Sequence, residues 1–537
     1  MLVFDGSNWH SGLPDYHLAQ GQVRVAVRQW WPAVPITEMY TQKAKDWRLL
    51  WNYVWKIGPK ALIRKVLARS REGLRNRRVL AVGLGTVIET RAGGPLKTGD
   101  AVIFIAPSHP PCVERVALPP EFVAKAPPEL AATTGESQGV RLIRTSAGPL
   151  IERLSPLAGW SEHSGRPLPD NLGAALAETA RALAVVQPTE ITAHPIPGRS
   201  EVREVAGLES VTLEPGQLRG VLFGLGNHAK TVLLPNLGPS IRVARIHEVD
   251  PTQISETYRN QFIVDTSPTP RGDERYDVYF IAGFHHTHAE LAAHALDCGA
   301  WAVVEKPLVT TQAELDILLR SLRRHPGRLF SGFHKRHSPL WSFARQDLAT
   351  APGEPINVNC LIYEVGLPRL HWYIWPNSRS RIVSNGCHWL DLFLFLNDFA
   401  EVVRYDLWVG GNLDVHWSVE LKNGACMSGS LTDIGSRRLG TRDIVEARAG
   451  EVTVRVMNDS AYFAEDARRV LRRCRRNSIR IYENMYRKIA DEIVRGEAGD
   501  SIESVERTSR LMLDLDALLQ QKLPAGAWNR YTATEEP

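Results

Sequence analysis

The chain has 537 residues, of which 44% are hydrophobic and 23% are charged, the composition of an ordinary globular protein. This length allows about two or three domains with a packed core, and a net charge of +5 is too small to predict a nucleic-acid-binding protein. Six scattered cysteines without a Cys-x-x-Cys pair predict neither a disulfide framework nor a zinc site, and they suit a reducing cytoplasm. We expect neither a signal peptide nor a membrane span, because no apolar run approaches about 20 residues.

The first predicted elements are a strand and a long helix. Apolar and polar residues alternate over Gly21–Arg28, as in a half-buried strand. Between residues 43 and 78, apolar residues that include Trp47, Trp51 and Trp55 recur at spacings of three and four. This spacing predicts a helix whose tryptophans belong to a core or an interface.

Two stretches, 60–78 and 468–476, are rich in lysine and arginine. The spacing of the arginines in the second stretch predicts a helix with basic residues on all sides. Each stretch is interpreted as a solvated surface or as a surface for an acidic partner. Nucleic acid is not expected as a partner, because no DNA- or RNA-binding motif accompanies either stretch.

The residues that follow Gly83 and Gly85 are β-branched, so this glycine pair predicts a strand and not a nucleotide-binding loop. The segments 85–90, 95–103 and 112–120 resemble the GroES-like β-barrel domain of medium-chain alcohol dehydrogenases. The resemblance implies a GroES-like domain over 1–130 plus the return segment 186–212. The intervening residues 131–185 are too few for a cofactor domain, so we interpret them as the remnant of one. The zinc-binding pattern of that family is absent from the sequence, so catalysis by this half is not expected.

The stretch that organises the second half is Gly224-Leu225-Gly226-Asn227-His228-Ala229. It follows a short apolar run and precedes apolar residues at helical spacing, which predicts a strand, a tight glycine turn and a helix. Such a turn lets the backbone approach a pyrophosphate at the start of a helix. A second predicted strand, 241–247, ends next to Glu248. A carboxylate at this distance binds the ribose hydroxyls and favours NAD over NADP.

Three later motifs occur in order: Glu305-Lys306-Pro307, Gly332-Phe333-His334-Lys335-Arg336, and the Gly-x-His-x-x-Asp segment 386–391. With the glycine loop, they resemble the Gfo/Idh/MocA oxidoreductase family over about residues 219–520. The resemblance implies a doubly wound parallel Rossmann sheet in 219–345, followed by an α+β domain in 346–537. The alternating pattern of 355–475 is typical of the open antiparallel sheet that this family adds. The whole chain is thus expected to be a fused bi-domain oxidoreductase of mainly α/β class.

Two side chains are the candidates for proton handling. Lys306 is expected at the carboxyl end of a strand, where its ammonium group can bind a substrate oxygen and desolvation would lower its pKa. His388 is a proton acceptor whose ordinary pKa is about 6.5. The resemblance assigns catalysis to the positions that Lys306 and His388 occupy. Many members of the family also carry an aspartate four positions before the histidine, where this chain has Ser384.

The expected cofactor is NAD, and no metal is expected. The histidines at 285, 286 and 288 lie before a predicted helix and lack a carboxylate or cysteine beside them, so packing near the nicotinamide is favoured over a metal site. The residues predicted to bind the cofactor are Gly224, Gly226, Asn227, His228, Ala229, Glu248, His288, Glu305 and Pro307. The residues predicted to line the substrate cleft are Lys335, Arg336, Tyr363, His371 and Trp372. Basic and aromatic groups suit acidic sugars and equally suit an acidic peptide.

Two functions remain open from the sequence. The first is an NAD(H)-dependent oxidoreductase for a sugar-like or other hydroxyl or carbonyl substrate. The second is a catalytically impaired scaffold that binds a peptide or a biosynthetic intermediate for partner enzymes. The resemblance also implies pairing through the open sheet face, which favours a homodimer over a cover supplied by the front half.

Overall fold

The computed structural model describes thirteen ranges of the chain: 1–4, 8–36, 63, 78–109, 112–131, 139–145, 172–186, 188–195, 201–272, 274–366, 372–435, 440–476 and 479–523. His371 lies outside these residues. So do the predicted helix within 43–78 and its basic stretch 60–78, apart from Ile63 and Arg78. The chain divides into two units. The first unit contains 1–38, 70–212 and 244–274, and the second contains 39–69, 213–243 and 275–537. Among the described helices, none is both long and apolar enough to cross a bilayer.

The front half of the first unit is built mainly from strands. Its strands are β1 (Val3–Phe4), β2 (Trp9–His10), β3 (Val23–Ile36), β4 (Arg78–Thr90), β5 (Ala101–His109), β6 (Cys112–Val113), β7 (Arg115–Leu118), β8 (Val123–Lys125), β9 (Gly139–Thr145), β10 (Pro188–Pro195) and β11 (Val205–Gly207). Its helices are α1 (Pro128–Ala131) and α2 (Leu172–Val185). The main sheet has the order β10-β9-β3-β4-β5-β8, with β7 also paired to β3.

This main sheet is open, because its end strands β10 and β8 do not pair with each other within the described part of the chain. The predicted GroES-like β-barrel is therefore not confirmed. Strand β9, which lies in the segment interpreted as a cofactor-domain remnant, pairs with β3 and β10 of the front sheet. The strand predicted at the Gly83–Gly85 pair is confirmed. A Cβ on Gly83 would lie 2.1 Å from the Phe104 ring, so this glycine serves close packing of two strands.

Residues 218–331 alternate between strands and helical segments. The strands are β12 (Leu218–Phe223), β13 (Ile241–His247), β14 (Ile263–Asp265), β15 (Val278–Ile281), β16 (Trp301–Val304) and β17 (Leu329–Ser331), and the helices are α3 (Glu256–Arg259), α4 (His288–Asp297) and α5 (Gln312–Arg324). In the second unit, β12, β15, β16 and β17 pair in parallel in that order. In the first unit, the end of β13 pairs in parallel with β14, and β14 pairs antiparallel with β11.

The segment 244–274 belongs to the first unit, although the sequence analysis placed it with the rest of 219–345. Ion pairs join it to the front half inside that unit. The carboxylate of Glu204 lies 2.8 Å from Arg24 and 3.4 Å from Arg271, and Arg271 also lies 2.6 Å from Asp265. His17, the N–H group of Leu18 and the charge of Arg24 lower the pKa of Glu204 to about 2 in spite of its burial. This segment is thus anchored to the front half by paired charges.

The rest of the second unit is an eight-stranded sheet with helices. The strands are β18 (Asn357–Tyr363), β19 (Val402–Val409), β20 (Val415–Leu421), β21 (Cys426–Thr432), β22 (Arg442–Ala449), β23 (Val452–Met457), β24 (Ala461–Glu465) and β25 (Val470–Arg475), and the helices are α6 (Pro339–Leu348), α7 (Cys387–Leu396), α8 (Ile479–Arg495) and α9 (Ile502–Lys522). The order is β19-β20-β21-β18-β22-β23-β24-β25. All neighbours are antiparallel except β18 and β21, so the predicted sheet is largely antiparallel.

The arginine-rich stretch 468–476 corrects one prediction, because it forms the edge strand β25 and not a helix. Strand β24 supplies its hydrogen-bonding partner, and this tertiary pairing outweighs the helical spacing of the arginines. Arg472 pairs with Asp347 at 2.9 Å. A basic edge strand opposes the addition of a further strand from another chain.

Candidate active site

The glycine loop follows β12 as predicted. Gly224 has φ of +92°, and a Cβ there would lie 2.5 Å from the Cα of Gly283. Only glycine fits both the conformation and the close approach of the two chains. A Cβ on Gly226 would meet no described atom within 4 Å, which leaves space for a ligand to approach the backbone. The loop therefore fits the phosphates of a dinucleotide.

The helix predicted after this loop is short and irregular. The segment Ala229–Leu233 is a π-helix, and a 3₁₀ turn, Leu234–Asn236, follows it. The N–H group of Leu234 donates to the carbonyl of Ala229. Pro235 has no N–H group and its ring crowds the preceding turn, which explains why a regular α-helix does not continue here.

The side chain of Glu305 lies beside the glycine loop. Its Oε1 is 3.2 Å from Nε2 of His228 and accepts a hydrogen bond from the Tyr486 hydroxyl. The same His228 nitrogen is 2.8 Å from that hydroxyl. Burial alone would raise the pKa of Glu305, but His228 and Tyr486 outweigh it and lower the pKa to about 2. Tyr486 comes from α8, far along the sequence, and no local motif indicated it.

The ammonium group of Lys306 does not pair with Glu305. Its Nζ donates to the backbone oxygen of Ser384 at 2.9 Å and lies 5.6 Å from the centre of the Tyr373 ring. The sequence analysis expected a lowered pKa for this lysine. Burial does act in that direction, but acidic neighbours, with Tyr373 first, reverse it and raise the pKa. Lys306 is therefore a permanent cation at this site and a hydrogen-bond donor.

His388 lies in the first turn of α7 and is buried. Its ring meets the ring of His334 edge-on at 4.5 Å between centres, and its Nδ1 has no hydrogen-bond partner among the described residues. Burial, then Lys306 and His334, lower its pKa well below the ordinary value. His388 is thus a neutral imidazole with an unused nitrogen, close enough to Lys306 to feel its charge.

His288 has both ring nitrogens against backbone carbonyls. Nδ1 is 2.7 Å from the oxygen of Pro307, and Nε2 is 3.2 Å from that of Gly283. Burial lowers its pKa although these carbonyls oppose the shift. The predicted cofactor residue His288 therefore holds the Glu-Lys-Pro segment in place. Among the described residues, no group of three or more histidines, cysteines and carboxylates is arranged to hold a metal ion.

Lys335 and Arg336, predicted to line the substrate cleft, each form ion pairs with two carboxylates. Nζ of Lys335 lies 2.8 Å from Asp443 and 2.9 Å from Asp459. Nη1 of Arg336 lies 2.7 Å from Asp500, and its Nε lies 2.9 Å from Asp391. Both basic side chains are buried and paired with carboxylates, and their role in substrate binding stays a prediction. The three partners other than Asp391 come from distant segments and were not predicted.

An aromatic cluster accompanies the predicted residue Trp372. Its ring lies 4.6 Å from that of His285, 5.4 Å from that of Phe284 and 4.3 Å from that of Tyr373. The ammonium group of Lys306 lies over the same Tyr373 ring, so the aromatic cluster is next to this predicted catalytic residue. Tyr363 lies elsewhere, at the end of β18, where its hydroxyl donates to the carbonyl of Gly435 at 3.2 Å.

Glu248 follows β13 directly, so the predicted strand is confirmed. In the first unit, Oε1 of Glu248 accepts from the N–H group of Asp250 at 2.9 Å. Its own N–H group donates to the carbonyl of Asp265 at 2.8 Å. Its role in binding ribose stays a prediction.

Comparisons with known proteins agree with this geometry. Residues 219–333 match the family model described as "Oxidoreductase family, NAD-binding Rossmann fold". This segment carries the Rossmann fold of the Gfo/Idh/MocA oxidoreductase family. The uncharacterized oxidoreductase YdgJ of Escherichia coli K12 is 32% identical over 124 residues, which are 22% of this chain and 35% of YdgJ. The match thus spans about a third of that relative.

Two solved structures are also similar to this chain. A dehydrogenase from Chromobacterium violaceum has 18% identity and a TM-score of 0.49, with 57% of this chain and 97% of that chain covered. An oxidoreductase domain protein from Kribbella flavida has 14% identity and a TM-score of 0.48, with 58% and 98% covered.

Proposed function

We propose that the chain is an NAD(H)-dependent oxidoreductase that acts on a sugar-like or other hydroxyl or carbonyl substrate in a biosynthetic pathway. The observation that carries this proposal is the 3.2 Å approach of His228, in the glycine loop, to Glu305, in the Glu-Lys-Pro segment. It joins the loop that fits a dinucleotide to the residue that precedes Lys306. This approach supports the proposal because it brings the glycine loop close to the segment that carries Lys306.

The residues have distinct tasks in this proposal. The backbone at Gly224 and Gly226 would hold the cofactor phosphates, and Glu305 and His228 would lie near its reactive end. NAD, when bound, supplies a hydride acceptor or donor. Lys306 donates a hydrogen bond that fixes the substrate oxygen and stabilises negative charge on it. The preference for NAD over NADP rests on the carboxylate of Glu248.

A fluorescence titration of the protein with NADH tests the proposal. We expect saturable binding, weaker for NADPH, and Lys306→Ala should retain it while losing turnover on a panel of sugars, cyclitols and nucleotide sugars. Cofactor that fails to bind at millimolar concentration would refute an NAD(H)-dependent enzyme.

One observation favours the scaffold as a second candidate. Ser384, which stands where the resemblance implies an aspartate, gives only its backbone oxygen to Lys306. A site that has lost its proton acceptor would bind without reacting. A mass spectrum of the purified protein separates the two functions: co-purified nicotinamide supports the enzyme, and a bound peptide or intermediate without cofactor supports the scaffold.

We also propose that a second copy of the chain covers the open sheet face. Leu361, Ile444 and Met457 are direct neighbours across β18, β22 and β23, and they are 52%, 47% and 43% exposed. Such an apolar row is typical of an interface. Light scattering should give a dimer, Ile444→Glu should reduce it, and Val470→Glu on the edge strand should not. A mass of 60.0 kDa at every concentration would contradict a dimer. The likeness of the front half to a GroES-like domain also stays a proposal, and it rests on the sequence segments alone.

A further inference from the structure

A second buried carboxylate lies near the proposed catalytic lysine. Glu364 follows β18 directly, and its N–H group donates to the carbonyl of Thr432 at 2.8 Å. Its side chain is only 6% exposed. The sequence analysis did not select Glu364, because no motif surrounds it. The strand β18 carries it into the interior of the second unit.

The carboxylate of Glu364 is not saturated with hydrogen bonds by the neighbours that the structure describes. Its Oε2 lies 3.6 Å from Nε of Arg381, beyond the length of a good hydrogen bond. Its Oε1 has no hydrogen-bond partner within the ranges that the structure describes. The other charged groups that act on it are Lys306 and Asp433, and Asp433 also lies 3.6 Å from Arg381. A buried polar oxygen without a partner is costly and requires a reason.

Arg381 connects this carboxylate to the segment of the missing aspartate. It immediately precedes the π-helical turn Ile382–Gly386, which contains Ser384 and continues into α7 with His388. The backbone oxygen of Ser384 in turn accepts from Lys306. Glu364 therefore lies beside the residue that begins this turn, and the charge of Lys306 acts on it.

We propose that Glu364 is the proton-carrying carboxyl group of this site, in the place of the aspartate that the resemblance puts at position 384. This inference rests on the proposed function. When an alcohol is oxidised, its O–H bond breaks and the proton passes to Oε1 of Glu364. The C–H bond would break with its electron pair as a C=O bond forms, and NAD⁺ held at the glycine loop would supply the hydride acceptor. The carboxylic acid then releases the proton to water, and carbonyl reduction follows the reverse path.

The electrostatics separate Glu364 from His388 as proton acceptors. Burial raises the pKa of Glu364, although Arg381 and Lys306 oppose the shift. Burial and Lys306 lower the pKa of His388 well below its ordinary value. A proton carrier works best when its pKa lies near the working pH. The pKa of Glu364 is therefore shifted towards the working pH, and the pKa of His388 is shifted away from it.

Infrared difference spectroscopy over a pH titration tests the protonation of Glu364 without substrate or cofactor. The wild type should show a protonated-carboxyl band that persists above about pH 4.3, the ordinary glutamate value. Glu364→Gln should lack this band. The matched control Asp433→Asn, which removes the other carboxylate beside Arg381, should retain it. If Glu364 instead ionises at or below the ordinary value, the inference is overturned.

Kinetics provide the second test. With NADH binding unchanged within about twofold, Glu364→Gln should lower kcat by about 100-fold or more, and Glu364→Asp should recover part of the rate with a shifted pH profile. An unchanged kcat in Glu364→Gln would overturn this inference but would not contradict the proposed oxidoreductase function. A wild type that fails to bind NADH would instead refute the proposed function, and the infrared titration would still decide the state of Glu364.

Discussion

Two groups of buried polar side chains in the second unit differ in how completely they are paired. In the first group, Lys335 and Arg336 each contact two carboxylates. In the second group, Oε1 of Glu364 and Nδ1 of His388 have no partner among the described residues. Pairing can compensate for the cost of burying a charge, and an unpaired group keeps that cost in the absence of a ligand. The first group stabilises the fold, and under the proposed function the second group is the one that meets a ligand.

The strongest test of this comparison is Arg336→Met, which should destabilise the protein most. Asp391 is fully buried and would lose the guanidinium that contacts both of its oxygens. Removal of one partner of a buried ion pair costs about 3–5 kcal/mol. Urea unfolding should show this loss. A loss below about 1 kcal/mol would mean that the paired group does not stabilise the fold.

Glu305 sharpens the comparison because it belongs to the site but is paired like the structural group. Its pKa falls from 4.5 to about 2 on folding, so its contribution is complete above about pH 4.5. That contribution disappears as the pH falls towards 2. It amounts to on the order of 3 kcal/mol. The unfolding free energy of the wild type should therefore decline more steeply between pH 5 and 3 than that of Glu305→Gln. Parallel pH profiles would show that the carboxylate of Glu305 is no better stabilised in the fold than in the unfolded chain.

Local patterns predicted the parts of this site that depend on neighbouring residues. The glycine turn needs Gly224, and the order of strand and turn is visible in the sequence. The partners of Lys335 and Arg336 could not be predicted, since Asp443, Asp459 and Asp500 reach them only through tertiary folding. Both basic residues looked like substrate ligands for that reason.

The same limit explains two other differences. The arginines of 468–476 have helical spacing, but this segment pairs with β24 at the edge of the sheet and therefore forms a strand. Glu364 belongs to no motif, and only its burial beside Arg381 distinguishes it. Sequence patterns thus predict periodic elements and turns. Whether a buried charged group finds a partner depends on which distant segments pack against it.

The smallest expected effect is that of Lys306→Met, which makes the matched comparison with Arg336→Met. Both changes replace a basic side chain of the second unit by an apolar one, at a half-buried position in the case of Lys306. Among the residues that the structure describes, Lys306 has one hydrogen-bond partner, the backbone oxygen of Ser384, and the loss of this bond should cost about 1–3 kcal/mol. Urea unfolding of the two variants under the same conditions measures the difference. If Lys306→Met is as unstable as Arg336→Met, then Lys306 is a structural cation, and incomplete pairing does not distinguish a site from a scaffold in this fold.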